Sequence, residues 1–137
     1  MKIDHIGIVV KNLEKGAAHW ERCFGYEPMT KPVLNTRQKV YVLFLKKEDS
    51  VMIKLIAPAG ESSPVYRFAE RGGGLHHLCF KCDNLKDGIE GLKSEGYRQL
   101  STTEPGEAFG NEMIAFLLSN HGINIELIDT DKKADVI

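Results

Sequence analysis

Apolar and polar residues follow two successive patterns in the first half of the chain. From residue 3 to residue 10, apolar side chains largely alternate with others, which is typical of a β-strand. After Asn12, a favourable helix cap, apolar residues recur at helical spacing until Gly25, which ends the predicted helix. Three further strands are predicted, at residues 26–30, 40–45 and 51–57. The predicted order of elements in this half is therefore β-α-β-β-β.

The second half repeats this order at a shift of about 72 residues. The shift places His77 on His5, Asn84 on Asn12 and Glu126 on Lys54. Because the register recovers over most of both halves, we infer an internal duplication. The second unit is predicted to contain strands at residues 75–82, 97–100, 113–118 and 123–128 and a helix at residues 84–95. A polar loop is predicted at residues 103–111, and the tail from residue 130 is expected to be frayed.

These elements predict an α+β fold in which two βαβββ modules form a half-open β-barrel cleft with the helices outside. Its eight strands are expected to curve into two facing sheets. A length of 137 residues is typical of one domain. We expect a single domain over residues 1–137, with a first module (1–58), a linker with a short helix (59–73), a second module (74–130) and a tail (131–137).

Side-chain direction within the strands predicts a functional cleft. Successive strand residues point to opposite faces of a sheet. If the helices cover the uniformly apolar faces, then His5, Lys54, His77 and Glu126 all point the other way. A pseudo-twofold arrangement of the modules would bring these four side chains together. The neighbouring His76 has the opposite direction and is expected to be a packed or capping residue.

Composition excludes several classes of function. The net charge is -1 and the basic residues are scattered, so no nucleic-acid surface is predicted. No apolar stretch approaches bilayer length and no secretory segment is evident, so we expect a cytoplasmic protein without a membrane partner. The glycines at 72–74 precede a strand and lack the ending of a phosphate-binding loop. No Gly-x-Ser-x-Gly motif provides a serine nucleophile.

Several short motifs resemble those of a known family: Asp4-His5, Ala57-Pro58, Ser63-Pro64-Val65, Gly73-Gly74-Leu75-His76-His77 and Ile125-Glu126-Leu127. With them the chain resembles the vicinal oxygen chelate superfamily of glyoxalase I, bleomycin-resistance proteins, extradiol dioxygenases and methylmalonyl-CoA epimerase. It is most similar to the epimerase branch. The resemblance implies a divalent metal ion (Co, Ni, Zn, Mn or Fe) bound by His5, His77 and Glu126, an acyl-CoA substrate and a homodimer. It also implies metal-dependent removal of a proton next to a carbonyl, as in epimerases or lactoylglutathione lyase.

Lys54 departs from the family pattern, which has Gln or Glu as a fourth ligand. An ammonium group has no lone pair, so either the Lys54 amine is neutral, or it swings aside, or no metal binds. Residues 40–45 also lack the carboxylate expected as a second base in the epimerases. Lys54 and Glu126, equivalent by the repeat, are then the candidate catalytic acid–base pair, one for each face of a planar enolate.

Two alternative functions remain open at this point. In the first, Lys54 and Glu126 form an ion pair, and the protein binds a small molecule without metal, as bleomycin-resistance proteins do. In the second, His5, His77 and Glu126 form the two-histidine, one-carboxylate triad of a non-haem Fe(II) extradiol-type dioxygenase.

Overall fold

The computed structural model describes residues 1–137. The first half contains β1 (Lys2–Val9), α1 (Leu13–Phe24), β2 (Glu27–Pro28), β3 (Val33–Asn35), β4 (Val40–Lys46) and β5 (Met52–Pro58). A short helix, α2 (Tyr66–Glu70), lies in the connection to the second half. That half contains β6 (Gly74–Lys81), α3 (Leu85–Ser94), β7 (Arg98–Gln99), β8 (Glu104–Gly106), a 3₁₀ helix (Glu107–Phe109), β9 (Glu112–Leu118) and β10 (Asn124–Ile128).

One mixed sheet runs through both halves in the order β2-β4-β5-β1-β6-β10-β9-β7, with β3 paired to β4 and β8 paired to β9. Strand β1 is parallel to β5, and β6 is parallel to β10. The two halves join where β1 and β6 pair in antiparallel fashion. The predicted α+β fold of two βαβββ modules is therefore confirmed. The two expected sheets are halves of a single unclosed sheet, because the β1–β6 ladder connects them.

The two long helices begin and end where local side-chain chemistry favours it. The Asn12 side chain accepts a hydrogen bond from the Lys15 N–H at the start of α1. Asn84 does the same for the Asp87 N–H at the start of α3. Gly25 ends α1 with a φ of 73°, a left-handed conformation that costs glycine little. The longest helix has 12 residues, and no helix combines the length and the apolarity needed to cross a membrane.

Three hydrophobic clusters fix the position of the sheet between the helices and the cleft. One cluster packs α1 against the first half, around Leu55, and a second packs α3 against the second half, around Leu127. The third and largest lies on the opposite, concave face and combines residues of both halves, among them Phe44 and Phe109. Since the two long helices, α1 and α3, cover the convex face, polar side chains directed the other way lie in the concave cleft.

Two predictions about the irregular segments were wrong. Residues 103–111 form β8 and a 3₁₀ helix, because residues 104–106 pair with the long strand β9. The tail is also bound to the rest of the molecule. The Ala134 N–H donates to the Ala108 carbonyl, the Lys31 N–H donates to the Asp135 carbonyl, and the Ile137 N–H donates to the Met29 carbonyl. These backbone bonds hold the tail across one end of the concave face.

Candidate metal centre and substrate cleft

The four side chains selected by strand direction meet on the concave face. They come from the four central strands, β1, β5, β6 and β10, and each residue is at most 3% exposed. The Nε2 atoms of His5 and His77 are 3.2 Å apart. Glu126 Oε1 lies 3.0 Å from the His5 nitrogen and 3.1 Å from the His77 nitrogen. Lys54 Nζ lies 3.8 Å from the same oxygen, at ion-pair distance but too far for a good hydrogen bond.

The hydrogen bonds around His5 direct a lone pair into the centre of this group. His5 Nδ1 lies 2.7 Å from Asp4 Oδ2. A carboxylate only accepts, so the imidazole of a neutral His5 carries its hydrogen on Nδ1 and turns an Nε2 lone pair toward Glu126. Two acceptors at 3.0 Å repel each other unless a proton or a metal cation lies between them. The arrangement therefore favours a hydrogen or a metal cation at its centre.

Glu126 supplies a second sign that the centre accepts a cation. Its Oε2 atom is fully buried and has no hydrogen-bond partner in the protein. A buried carboxylate oxygen without a partner is costly, and such atoms commonly face an ion or a ligand. The three converging donor atoms are 3.0, 3.1 and 3.2 Å apart. Ligands at about 2.1 Å from one ion are separated by roughly 3.0–3.4 Å, so this donor set fits a divalent metal.

The charges next to the centre are arranged in two buried pairs. Lys54 faces Glu126, and Lys133 Nζ lies 3.3 Å from Asp4 Oδ1 with a side chain only 3% exposed. Both ammonium groups also lie over the Phe109 ring, at 4.9 and 5.3 Å from its centroid. Lys133 belongs to the tail that was predicted to be frayed, so sequence analysis did not place it near the site. Two carboxylates and two ammonium groups balance each other in this part of the molecule.

These contacts shift the pKa values of the site residues. Burial on its own would raise the pKa of Glu126, but the Lys54 charge and the two imidazoles outweigh burial and hold that pKa well below its usual range. Burial would likewise raise the pKa of Asp4, and its contacts with His5 and Lys133 lower it. Burial lowers the pKa of His77 to about 4. Near neutral pH, both carboxylates are therefore ionised and His77 is uncharged.

An extra residue in strand β6 brings His76 into the site, contrary to the prediction from strand direction. In the β1–β6 ladder Gly7 pairs with His77 and Ile8 pairs with Leu75, which leaves His76 without a partner. Such a β-bulge redirects side chains that simple alternation would place on the other face. The Nδ1 atoms of His76 and His77 are 2.7 Å apart. His76 therefore contacts a site residue directly.

A cavity of about 280 Å³ opens beside the four residues. Lys54 and His77 reach its wall, whereas His5 and Glu126 do not. Apolar side chains, among them Val42, Ile56, Val65, Leu100 and Phe116, form much of the remaining wall. The cavity is also lined by Gln38, His76, Ser101, Glu104 and Asn124. An apolar pocket with a few converging polar groups is the usual form of a small-molecule site.

Comparisons with known proteins agree on one family. Residues 4–116 match the model of the Glyoxalase/Bleomycin resistance protein/Dioxygenase superfamily. The chain is 32% identical over 131 residues to the uncharacterized protein YqjC of Bacillus subtilis, and this match covers 93% of this chain and 91% of that protein. It is 30% identical over 118 residues to the ethylmalonyl-CoA/methylmalonyl-CoA epimerase of Cereibacter sphaeroides, covering 85% of this chain and 87% of that enzyme. A variant of Streptomyces coelicolor methylmalonyl-CoA epimerase, in complex with 2-nitronate-propionyl-CoA, superposes with a TM-score of 0.81 at 26% identity and covers 96% of this chain and 98% of that chain.

Proposed function

Because this chain belongs to the glyoxalase/bleomycin resistance protein/dioxygenase superfamily, we propose that it is an epimerase-like, metal-dependent enzyme that removes a proton next to a carbonyl group. The observation that carries this proposal is the buried set of three converging nitrogen and oxygen atoms of metal-ligand type, with one unpartnered carboxylate oxygen. The similarity to enzymes named as acyl-CoA epimerases supports an acyl-CoA thioester as the substrate class.

In this proposal His5, His77 and Glu126 hold the metal ion. Two imidazoles and a carboxylate suit Co, Ni, Zn, Mn or Fe and leave further positions open. When bound, the ion would polarise the substrate carbonyl and stabilise the negative charge that develops on its oxygen. The Asp4 carboxylate orients the His5 ring, because its hydrogen bond to Nδ1 keeps Nε2 free to act as a donor atom.

Lys54, which reaches the cavity wall, is the proposed proton-transfer group, and Glu126, which does not reach it, is its proposed acid–base partner. Glu126 is ionised, and the ammonium of Lys54 lies over the Phe109 ring and reaches the cavity wall. Acid and base on opposite faces of one planar carbon would be roughly 6 Å apart, since each must approach within about 3 Å. Because Lys54 Nζ and Glu126 Oε1 are 3.8 Å apart, we infer that this pair acts from one side of a bound carbon. Inversion then needs a group on the second side, and Glu104, the carboxylate that lines the cavity, is our candidate.

Exchange of the α-proton in deuterated water tests this assignment. With methylmalonyl-CoA as the probe and added Co²⁺, we expect exchange by the wild type and losses of roughly 10²- to 10⁴-fold in Lys54→Met and Glu126→Gln. Glu104→Gln should retain exchange of one isomer and lose interconversion of the isomers. Glu90→Gln, on the exposed side of α3, is the matched control. A metal-loaded wild type that exchanges no α-proton, or a Lys54→Met variant with unchanged exchange, would contradict the proposal.

A second candidate function is supported by the charge balance of the site. The pairs Lys54–Glu126 and Lys133–Asp4 neutralise both carboxylates without a metal ion, as a metal-free small-molecule binder would require. Elemental analysis of protein purified without chelator separates the two candidates. Bound metal in the wild type supports the enzyme, whereas metal that appears only in Lys54→Gln would show that the lysine replaces the ion and would favour the binder.

A further inference from the structure

Both candidate metal-binding histidines follow an extra residue in the same strand ladder. In the β1–β6 pairing Ile3 lies opposite Phe80 and His5 lies opposite Cys79, so that Asp4 is unpaired. On the other strand the unpaired residue is His76, which precedes His77. Asp4 and His76 are equivalent under the 72-residue repeat. The molecule therefore contains two bulges that are related by its internal symmetry.

Each bulge residue makes the same contact with the histidine that follows it. Asp4 Oδ2 lies 2.7 Å from Nδ1 of His5, and His76 Nδ1 lies 2.7 Å from Nδ1 of His77. The His76 ring is held from its other sides as well. The ring packs against the Phe68 ring at 6.4 Å between centroids, and the backbone of His76 is fixed by a hydrogen bond from the Asn124 side chain to its carbonyl oxygen. The contact between the two imidazoles is therefore built into the surrounding structure.

We propose that His76 is a positioning residue of the metal centre, which accepts a hydrogen bond from Nδ1 of His77 as Asp4 does from Nδ1 of His5. The inference rests on the proposed metal site. When two neutral imidazoles meet through their Nδ1 atoms, one donates and the other accepts. If His76 donated, the hydrogen of His77 would be on Nε2, and that nitrogen could not bind a metal. With His76 as acceptor, Nε2 of His77 turns its lone pair toward the ion.

The two bulge residues differ in charge and in access to the cleft. Asp4 is a carboxylate paired with Lys133 and is nearly buried, whereas His76 is half-buried and lines the cavity. A carboxylate partner makes a ligand imidazole more basic than a neutral partner does. The two ligand histidines are therefore unequal in donor strength, although they are equivalent in position. The weaker one, His77, is the one at the cavity wall.

Metal affinity and the tautomer of His76 test the proposal. Dissociation constants for Zn²⁺ are measured by competition with a chromophoric chelator for wild type, His76→Phe, His76→Asp and the surface control His121→Phe. We expect His76→Phe to weaken binding by about 10- to 100-fold and His76→Asp to remain within a few-fold of the wild type, because Asp4 already makes this contact from the equivalent position. In ¹⁵N NMR spectra of the Zn²⁺-loaded wild type, His76 should carry its hydrogen on Nε2.

The possible results separate this inference from the proposed function. If the wild type binds Zn²⁺ and His76→Phe binds it equally tightly, His76 has no positioning role and only this inference fails. A His76 that carries its hydrogen on Nδ1 in the Zn²⁺-loaded protein would also overturn it. If the wild type binds no Zn²⁺ at all, the proposed metal site fails and the inference fails with it. Circular dichroism and thermal unfolding of each variant exclude misfolding, and His76→Asn provides a second neutral replacement.

Discussion

Gly7→Ala should disrupt the candidate metal centre without changing any of its polar groups. Gly7 lies opposite His77 in the β1–β6 ladder, and the imidazole fills the space that a Cβ atom of residue 7 would occupy. A Cβ atom at this position would lie 2.3 Å from His77 Cε1 and 2.5 Å from its Nδ1, whereas ordinary contacts begin at 3.4 Å. The ring or the strand would have to move by roughly 1 Å. Glycine is therefore required here by close approach of a side chain.

The size of the effect follows from this displacement. Overpacking of this kind costs about 1–3 kcal/mol of unfolding free energy. Metal ligands tolerate errors of only about 0.2 Å, so a ring displaced by roughly 1 Å should weaken Zn²⁺ binding by about 100-fold or more. Urea unfolding of the metal-free protein measures the first quantity, and chelator competition measures the second.

Gly91→Ala is the matched control. Gly91 lies in α3, where a Cβ atom would meet nothing within 4 Å. Alanine in a helix is favoured over glycine by up to about 1 kcal/mol, so this variant should be slightly more stable and bind metal normally. A Gly7→Ala protein with the stability and the metal affinity of the wild type would refute the argument from the crowded β1–β6 ladder.

Three further predictions concern the surroundings of the site. The pKa of His77 is about 6.5 in the unfolded chain and about 4 in the folded metal-free protein, so the unfolded chain takes up the proton first as pH falls. The free energy of unfolding should therefore decrease by on the order of 3 kcal/mol between pH 6.5 and pH 4. Urea titrations at each pH should show this loss in the wild type and not in His77→Phe. Lys133→Met leaves the Asp4 carboxylate without its ammonium partner and should cost about 3 kcal/mol, with part of the loss recovered in the double variant with Asp4→Asn. Glu107→Ala removes the acceptor of hydrogen bonds from the Thr36 N–H and hydroxyl, and should speed hydrogen exchange of the Thr36 amide with a stability loss of about 1 kcal/mol.

The sequence predicted the regular elements because their signals are local. Asn12 and Asn84 are caps whose side chains bond within one helical turn, and Gly25 terminates a helix by its own backbone freedom. Strand alternation correctly placed Lys54 and Glu126 on the face away from the helices. These features depend on residues a few positions apart, which a single sequence displays directly.

The features that the sequence did not reveal depend on distant partners. The bulges at Asp4 and His76 exist only in the register between two strands about 70 residues apart, so alternation within one strand misplaced His76. Strands β3 and β8 have three residues each and are strands because β4 and β9 pair with them. Lys133 belongs to a polar segment without periodicity, and its tertiary contact with Asp4 determines its position.

Lys133 stands outside the repeat that relates the groups around it. His5 and His77, and the bulge residues before them, correspond to each other under the 72-residue repeat. Lys133 has no such counterpart, since the equivalent position of the first half is Glu61, a residue of opposite charge in an exposed connection. The internal repeat thus relates the two imidazoles to each other, whereas the cation that faces Asp4 reaches it only through the path of the C-terminal segment.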